Sequence, residues 1–176
     1  MKHILILLTS GLLISCGAQN TIVVNTAPLE EQKLSAVSID DFKVLKGNDW
    51  QGRLTYLNYG SDERSTIPVN LEVSINSDQA LIYKMIFPDE PHANSESSLS
   101  ISDDGAKLDG QKITKRFMNE DGETVIVTKS KGYDDNREVT IRTTYSISEN
   151  EFKMKKDVQF DTGEAFINRN EFAFNR

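Results

Sequence analysis

The chain has 176 residues and carries 20 Lys and Arg side chains against 27 Asp and Glu, a net charge of −7. An acidic surface of this kind repels nucleic-acid phosphates and anionic lipid headgroups, so it disfavours a nucleic-acid partner and any membrane contact through a basic patch. Hydrophobic residues make up 38% of the sequence and charged residues 27%, a composition typical of a soluble globular domain rather than a disordered chain.

The first residues have the pattern of a secretory signal. Lys2 and His3 precede an apolar run at residues 4–8, which resumes at residues 11–14. The run is about half of the roughly 20 apolar residues that a membrane-spanning helix needs, so it can enter the export machinery without remaining as a span. Residues 13–16, Leu-Ile-Ser-Cys, resemble the bacterial lipoprotein signal, in which an aliphatic residue and two small or aliphatic residues precede an obligatory cysteine.

The resemblance implies thioether attachment of a diacylglycerol to Cys16, cleavage just before it, and acylation of the new amino group, with palmitate among the acyl chains. Residues 1–15 would then be removed, and the mature protein, without Lys2, would have a net charge of −8. About two acyl chains suffice for stable anchoring. Cys16 is the single cysteine, so no disulfide forms within one chain. The alternative is an ordinary signal peptide followed by a free thiol. We expect a location in the cell envelope, at the outer membrane or a periplasmic face. The residues do not distinguish the inner membrane from the outer membrane.

A tether is predicted at residues 16–37, which are mostly small and polar and show no sustained apolar period. A flexible chain of about twenty residues reaches roughly 25 Å. The one apolar run in the tether lies at residues 22–24. As an alternative to a fully flexible tether, this run could form a short strand or contact the edge of the domain.

The folded domain is predicted at residues 38–176. Ser38 followed by Asp41 is typical of a capping box, Phe42 and Leu45 share a helical face, and Gly47 is suited to end the helix. We therefore expect one or two helical turns. Helical spacing then disappears from the sequence.

Strand patterns occupy the remainder of the domain. The clearest lies at residues 66–76, where Ile67, Val69, Leu71, Val73 and Ile75 alternate with mostly polar residues, the period of a half-buried strand. Asp121-Gly122 separates two other runs and is a strong hairpin signal. Comparable runs lie at residues 50–59, 79–87, 97–102, 112–118, 124–129, 138–147, 152–160 and 164–175. The connections are too short for parallel pairing, so we predict an all-β fold, an antiparallel meander of eight or nine strands.

A meander of this length hides its edges by closing into a barrel. Residues 47–50, Gly-Asn-Asp-Trp after the short helix, and Arg169 in the last strand resemble the signature of the calycin group, which includes the lipocalins. That family has Gly-x-Trp on its first strand and a late arginine across the tryptophan ring at the base of the barrel. Here one extra residue separates Gly47 from Trp50, the lipocalin disulfide is absent, and no helix follows the last strand. The resemblance implies a calycin-like barrel; another antiparallel barrel or a sandwich is the alternative. For the signature residues, the alternatives are an ordinary core aromatic at Trp50 and a solvated strand residue at Arg169.

Catalytic and metal-binding patterns are weak. His92, the single histidine after the leader, lies in a predicted loop, and no Gly-x-Ser-x-Gly elbow presents a serine beside it. One histidine and a lipidated cysteine cannot form a zinc shell, and the acidic turns lack the spacing of a calcium loop. We therefore predict a protein that is not an enzyme and has no cofactor.

Three functions remain. The first is a membrane-anchored carrier of a small apolar or amphipathic ligand, with a barrel lining of Tyr56, Tyr83, Phe87 and Tyr145. The second is a structural or protein-interaction module of the cell envelope, in which the same residues form a filled core. The third is an enzyme of the barrel class. A large internal cavity would favour the first function, a packed interior the second, and a carboxylate pair or His92 facing a pocket the third.

Overall fold

A computed structural model describes residues 36–161 and 163–176. These residues belong to one compact unit, Lys33–Arg176. Three short 3₁₀ turns are its only helices among the described residues, at Ile39–Asp41, Lys43–Leu45 and Pro91–Ala93. In this part of the chain no helix has both the length and the apolar character needed to cross a membrane. Cys16 and the predicted leader and most of the predicted tether lie outside the described residues.

Ten strands make up the rest of the domain. In chain order they are β1 (Gly47–Asn58), β2 (Glu63–Ser77), β3 (Ala80–Ile86), β4 (Ser95–Ser100), β5 (Lys107–Leu108), β6 (Gln111–Met118), β7 (Thr124–Asp134), β8 (Arg137–Ile147), β9 (Glu151–Gln159) and β10 (Ile167–Asn175).

The strands form one antiparallel sheet in the order β4-β3-β2-β1-β10-β9-β8-β7-β6-β5. Apart from β1 and β10, strands that are neighbours in the sheet are consecutive in the chain and are joined by short connections. The first and last strands, β1 and β10, also pair, for instance at Gly52 and Phe174. The two sheet edges are β4 and β5, which meet at an isolated bridge between Ile101 and Leu108. The sheet is therefore a meander rolled into a nearly closed barrel, and the all-β prediction is confirmed.

The differences from the predicted strands have local causes. The two-residue strand β5 escaped prediction because it is too short to show alternation. Strand β7 continues to Asp134, well past the predicted end at residue 129. The last strand begins at Ile167 rather than at residue 164, and the Phe166 ring before it lies 4.1 Å from the Arg142 guanidinium.

A segment at residues 36–46 packs into the barrel beside the sheet edges, and we call it the base segment. Its apolar side chains Val37, Ile39, Phe42 and Leu45 are all buried. The predicted helix is present as two 3₁₀ turns, and the Asp41 carboxylate accepts a hydrogen bond from the Ser38 amide at 3.1 Å. Val37, assigned to the tether by the sequence pattern, donates its amide proton to the Gly105 carbonyl at 3.1 Å, so the packed domain includes it.

Asp41 also fixes the base segment to the barrel wall. Its carboxylate receives two hydrogen bonds from the Arg116 guanidinium on β6, at 3.1 and 2.5 Å. The Asp41 side chain is only 7% exposed. Such a bidentate pair fixes geometry as well as charge, so it holds the segment beside the open edge of the sheet.

Gly52 allows the close contact of β1 with β10. A Cβ atom at this position would lie 2.2 Å from the Ala173 carbonyl oxygen and 2.6 Å from the Phe174 ring. Phe174 is 1% exposed. The absence of a side chain at Gly52 therefore makes room for the Ala173 backbone and the Phe174 ring. This close contact lets the first strand pair with the last strand.

Candidate functional site

The barrel interior has an apolar half and a polar half. Along β9 the inward residues are Phe152 and Met154, followed by Lys156. Along β10 they change in the same direction, from Phe174 and Phe172 to Asn170. The change occurs at matching heights because Phe172 pairs with Met154, and Asn170 with Lys156. The interior thus has two chemically different regions that could serve as a site.

The apolar half contains a small, partly enclosed space. The volume open to the centre of a water molecule is about 20 Å³, room for one water. Pockets for small molecules typically have about 300–1,000 Å³. The space is lined by Phe42, Leu45, Leu71, Val73, Leu81, Tyr83, Met85, Leu99, Tyr145, Phe152 and Met154. The base segment supplies two of these side chains, so it fills part of the volume that a ligand would need.

The four predicted lining residues separate in the structure. Tyr83 and Tyr145 line the partly enclosed space, and burial raises the pKa of the Tyr145 hydroxyl, with the charge of Asp109 adding to the effect. Phe87 is 9% exposed and belongs to the packed core, apart from the lining. Tyr56 is half-buried and pairs with Ser65 and Asn170, at the polar half. The structure therefore brings together two of the four.

Trp50 closes the base of the barrel, and the cation on its ring is Arg176. The Trp50 ring is 1% exposed and its Nε1 donates to the Leu45 carbonyl at 2.8 Å. The Arg176 guanidinium lies 4.3 Å from the ring centroid. It also donates to three backbone carbonyls, those of Val44, Lys46 and Glu149. Arg176 thereby joins the base segment, the β8–β9 turn and the tryptophan.

The extra residue between Gly47 and Trp50 is accommodated by a register shift. Gly47 pairs with Val73 and Trp50 with Leu71, so three residues of β1 advance against two of β2. The shift is a β-bulge or a similar irregularity, which lets a strand gain one residue without reversing its inward face. Trp50 points into the barrel despite the longer spacing.

The prediction that Arg169 lies over Trp50 is wrong. Arg169 sits at a register shift between Asn168 and Asn170, and its guanidinium lies 4.4 Å from the Tyr59 ring centroid. Its Nε donates to Asp134 at 3.3 Å, and an Nη donates to the Leu57 carbonyl. Arg169 does lie on the last strand, but a second arginine, Arg176, directly follows that strand, and it is Arg176 that reaches the base.

Asp134 is the centre of the polar half. It is 8% exposed. Its Oδ1 accepts the hydrogen bond from Arg169, and its Oδ2 accepts one from the Lys156 ammonium at 3.0 Å. Burial by itself raises the pKa of this carboxyl, but Lys156, with Tyr59 and Arg169, outweighs burial and lowers the pKa below its ordinary value. Asp134, Lys156, Arg169 and Tyr59 form what we call the polar cluster. One carboxylate and two cations give it a net charge of +1.

Tyr59 contributes a buried hydroxyl to the polar cluster. Its ring stands edge-on to Phe160, at 6.3 Å between centroids. The hydroxyl is buried and has no hydrogen-bond partner of good geometry among the described residues. Burial raises its pKa, and the neighbouring Asp134 carboxylate raises it further. The hydroxyl therefore stays protonated at neutral pH and cannot act there as a base.

Other candidate residues do not converge on a reactive centre. His92 is exposed, on the 3₁₀ turn Pro91–Ala93. Within residues 36–161 and 163–176 there is no group of three or more His, Cys, Asp or Glu placed to hold a metal ion. The residues that sequence reasoning missed are Arg176, Asp134 and Lys156. None carries a local motif, because their partners lie on distant strands.

Comparisons with known proteins give a similar solved structure. Neither the family models nor the curated proteins give a match to this chain. Among solved structures, the crystal structure of Rv2717c from M. tuberculosis is similar, with a TM-score of 0.47 and 12% sequence identity. The alignment covers 78% of this chain and 96% of that one. The strand order of this chain by itself makes it an all-β protein with a nearly closed antiparallel barrel of ten strands.

Proposed function

We propose that this chain is a lipid-anchored, non-catalytic protein of the cell envelope whose barrel acts as a structural or protein-interaction module. The observation that carries the proposal is the filled apolar half of the interior. The base segment and the inward aromatic side chains leave only about 20 Å³ open to a water centre in the apolar half. A barrel packed in this way works through its outer surface.

Ligand carriage is the second candidate. The apolar lining with two tyrosines, Tyr83 and Tyr145, has the chemistry of a pocket for an apolar or amphipathic molecule. Such a ligand would require the base segment, with Phe42 and Leu45, to move out of the barrel. That movement would expose side chains that are 0% and 2% exposed, so the filled barrel is the better supported proposal.

The resemblance to the lipocalins enters the proposal as a likeness of architecture. A short 3₁₀ segment precedes the first strand, a buried tryptophan lies at its start, and an arginine from the end of the last strand covers the ring. One architecture can host many functions. The likeness therefore supports the calycin-like description of the barrel, but the proposed function is argued from the packing of the barrel and not from this likeness.

The membrane anchor rests on residues 13–16. We propose that Cys16 carries the lipid, that residues 1–15 are removed, and that the barrel is held at an envelope membrane. In the Cys16→Ala variant we expect neither acylation nor cleavage. Labelling with a radioactive fatty acid and the mass of the purified protein measure both, and normal processing of the variant would contradict the anchor.

Native mass spectrometry distinguishes the two functions of the barrel. Residues 17–176 purified from several bacterial hosts are weighed under native conditions and again after denaturation. A filled barrel gives the same mass in both states. A small molecule that leaves on unfolding would instead establish ligand carriage and identify the cargo.

A further inference from the structure

The charges of the barrel are distributed unevenly. Strands β6 to β9 contain ten of the chain's 20 Lys and Arg residues but only four of its 27 Asp and Glu residues, a net charge of +6. The whole chain has a net charge of −7, so everything outside these strands carries −13. A protein that is acidic overall thus contains one strongly basic sector, so the net charge of the chain, which disfavours a membrane contact through a basic patch, does not describe this side of the barrel.

Most of these cations face outward. Ile113, Ile126 and Tyr145 are buried on the inner side of β6, β7 and β8, so the alternate positions form the outer side. We call this outer surface the cationic wall, formed by Lys112, Lys115, Lys129, Lys131, Arg142, Lys153 and Lys155. Carboxylates on the same surface are fewer, namely Glu138, Glu151 and Asp157.

Three cations lie in one row across neighbouring strands. Lys112 pairs directly with Lys129, and Lys129 pairs with Arg142. Like charges in directly opposite positions destabilise a sheet. Arg142 is compensated by Asp157 at 2.7 Å, and the Phe166 ring lies 5.6 Å from the Lys129 ammonium. Folding stability therefore gives no reason for the Lys112–Lys129 pair.

Four lysines of the wall have no acidic partner in the described part of the chain. No carboxylate lies within 4 Å of the ammonium groups of Lys112, Lys115, Lys129 or Lys131 there. All four side chains are exposed, and Lys131 donates only to the Thr140 hydroxyl, at 2.8 Å. They are available to an anionic partner.

The wall is rich in lysine, which indicates the kind of partner. Six of its seven cations are lysines, whereas protein interfaces are enriched in arginine and depleted in lysine. Clusters of four to eight basic residues near a membrane attract anionic lipid headgroups through a diffuse, hydrated contact. Phe117, 46% exposed, lies on the same outer surface and offers an aromatic ring to the lipid interface.

We propose that the cationic wall is a second membrane contact, which binds anionic lipid headgroups and lays the barrel on its side against the bilayer. The orientation rests on the proposed membrane location, since a lipid on Cys16 would hold the barrel at a membrane surface. The acidic remainder of the barrel is repelled by the same surface and turns away from it. Glu120 and Asp121 at the β6–β7 turn keep the contact along the wall rather than at the turn.

The test uses residues 33–176, the compact unit, which lacks any lipid anchor. The fragment is sedimented with vesicles of phosphatidylcholine alone and with vesicles that also contain phosphatidylglycerol. We expect binding to the anionic vesicles only, weakened as salt screens the charges. Since Cys16 is absent from the fragment, this result is independent of acylation, which the Cys16→Ala experiment tests separately.

Two variants with equal charge changes locate the contact. The wall variant replaces four lysines by glutamine, Lys112, Lys115, Lys129 and Lys131. The control replaces four exposed cations elsewhere, Lys46, Arg53, Lys84 and Lys107. At about fivefold per lysine near the surface, the wall variant should lose at least a hundredfold in vesicle affinity, and the control much less. A Phe117→Trp variant should show a blue-shifted emission only with anionic vesicles.

Three outcomes would overturn the proposal. The first is no binding to anionic vesicles at low salt, and the second is an equal loss in the wall and control variants. The third is self-association of the fragment, detected by light scattering and abolished in the wall variant, without vesicle binding. That result would assign the wall to the acidic surface of a second copy. Circular dichroism of each variant verifies that it is folded.

Discussion

The apolar and polar halves of the barrel interior are built from the same strands and held together by different forces. Around Trp50 the inward side chains are large and apolar, and stability comes from the surface they remove from water. Around Asp134 the inward groups are charged, and stability depends on each charge keeping its partners. The apolar half should therefore be sensitive to lost volume, and the polar half to lost charge and to pH.

Trp50→Ala is the strongest test of the apolar half. Removing a ring that is 1% exposed should lower the free energy of unfolding by about 3–5 kcal/mol, from lost burial and the cavity left behind. Urea denaturation followed by circular dichroism measures the change. An unchanged transition midpoint would contradict the buried position of the ring.

Asp134→Asn is the corresponding test of the polar half. Losing the carboxylate leaves Lys156 and Arg169 without their counter-ion and should cost about 2 kcal/mol, less than for a fully dry site because both cations are partly exposed. The matched control is Asp135→Asn, which removes an exposed carboxylate from the neighbouring position and should change stability by about 0.5 kcal/mol or less. Equal effects of the two variants would refute the polar cluster.

The pH dependence of stability distinguishes the same two variants. The pKa of Asp134 is lower in the folded protein than its ordinary value of 3.8. The contribution of this group is therefore fully present above that value and is lost as the pH falls below it. We expect wild type and Asp135→Asn to lose this stability on acidification, whereas Asp134→Asn should show a smaller decrease over the same range.

Arg176→Ala and Arg169→Ala separate the two arginines of the last strand and the residue after it. Arg176→Ala should cost about 1–2 kcal/mol and shift the fluorescence of Trp50, because the guanidinium no longer covers the ring. Trp50 is the single tryptophan, so the emission reports on the base alone. Arg169→Ala should leave the spectrum unchanged; a spectral shift in that variant would mean that the register of β10 is different.

Tyr59→Phe should have the smallest effect. The hydroxyl is buried without a well-formed hydrogen bond, so its removal relieves an unpaired polar group and leaves the ring contacts with Arg169 and Phe160 in place. We expect a change within about 0.5 kcal/mol, or a slight gain in stability. A large loss in a thermal melt would indicate that the hydroxyl is hydrogen-bonded to Asp134.

Much of the fold was predictable because alternation is a local property. The inward set on β2, with Val69, Leu71 and Val73 buried, is the set that the period of two selected. The 3₁₀ turns at Ser38 to Leu45 followed from capping chemistry and from Phe42 and Leu45 on one face. Strand β5 was not predictable in this way, because a strand of two residues is too short to show an alternating pattern.

The site residues were predictable only in part. Tyr83 and Tyr145 line the space in the apolar half, whereas Phe87 lies in the packed core and Tyr56 at the polar half. The residues on neighbouring strands at the same level of the barrel decide what surrounds each of them. The volume left between inward side chains depends on how the base segment enters the barrel. No sequence pattern measures that volume.

The sequence by itself determined the all-β class, the antiparallel order of the strands and the buried tryptophan, since each follows from short-range pattern and short connections. Only the tertiary structure decided that Arg176 rather than Arg169 covers Trp50, and that Asp134 is paired with Lys156 and Arg169. It also decided that the cations of β6 to β9 gather on one wall of a chain with a net charge of −7. The physical reason is that strand register and barrel closure bring distant residues together, and neither is recorded in any local stretch of the chain.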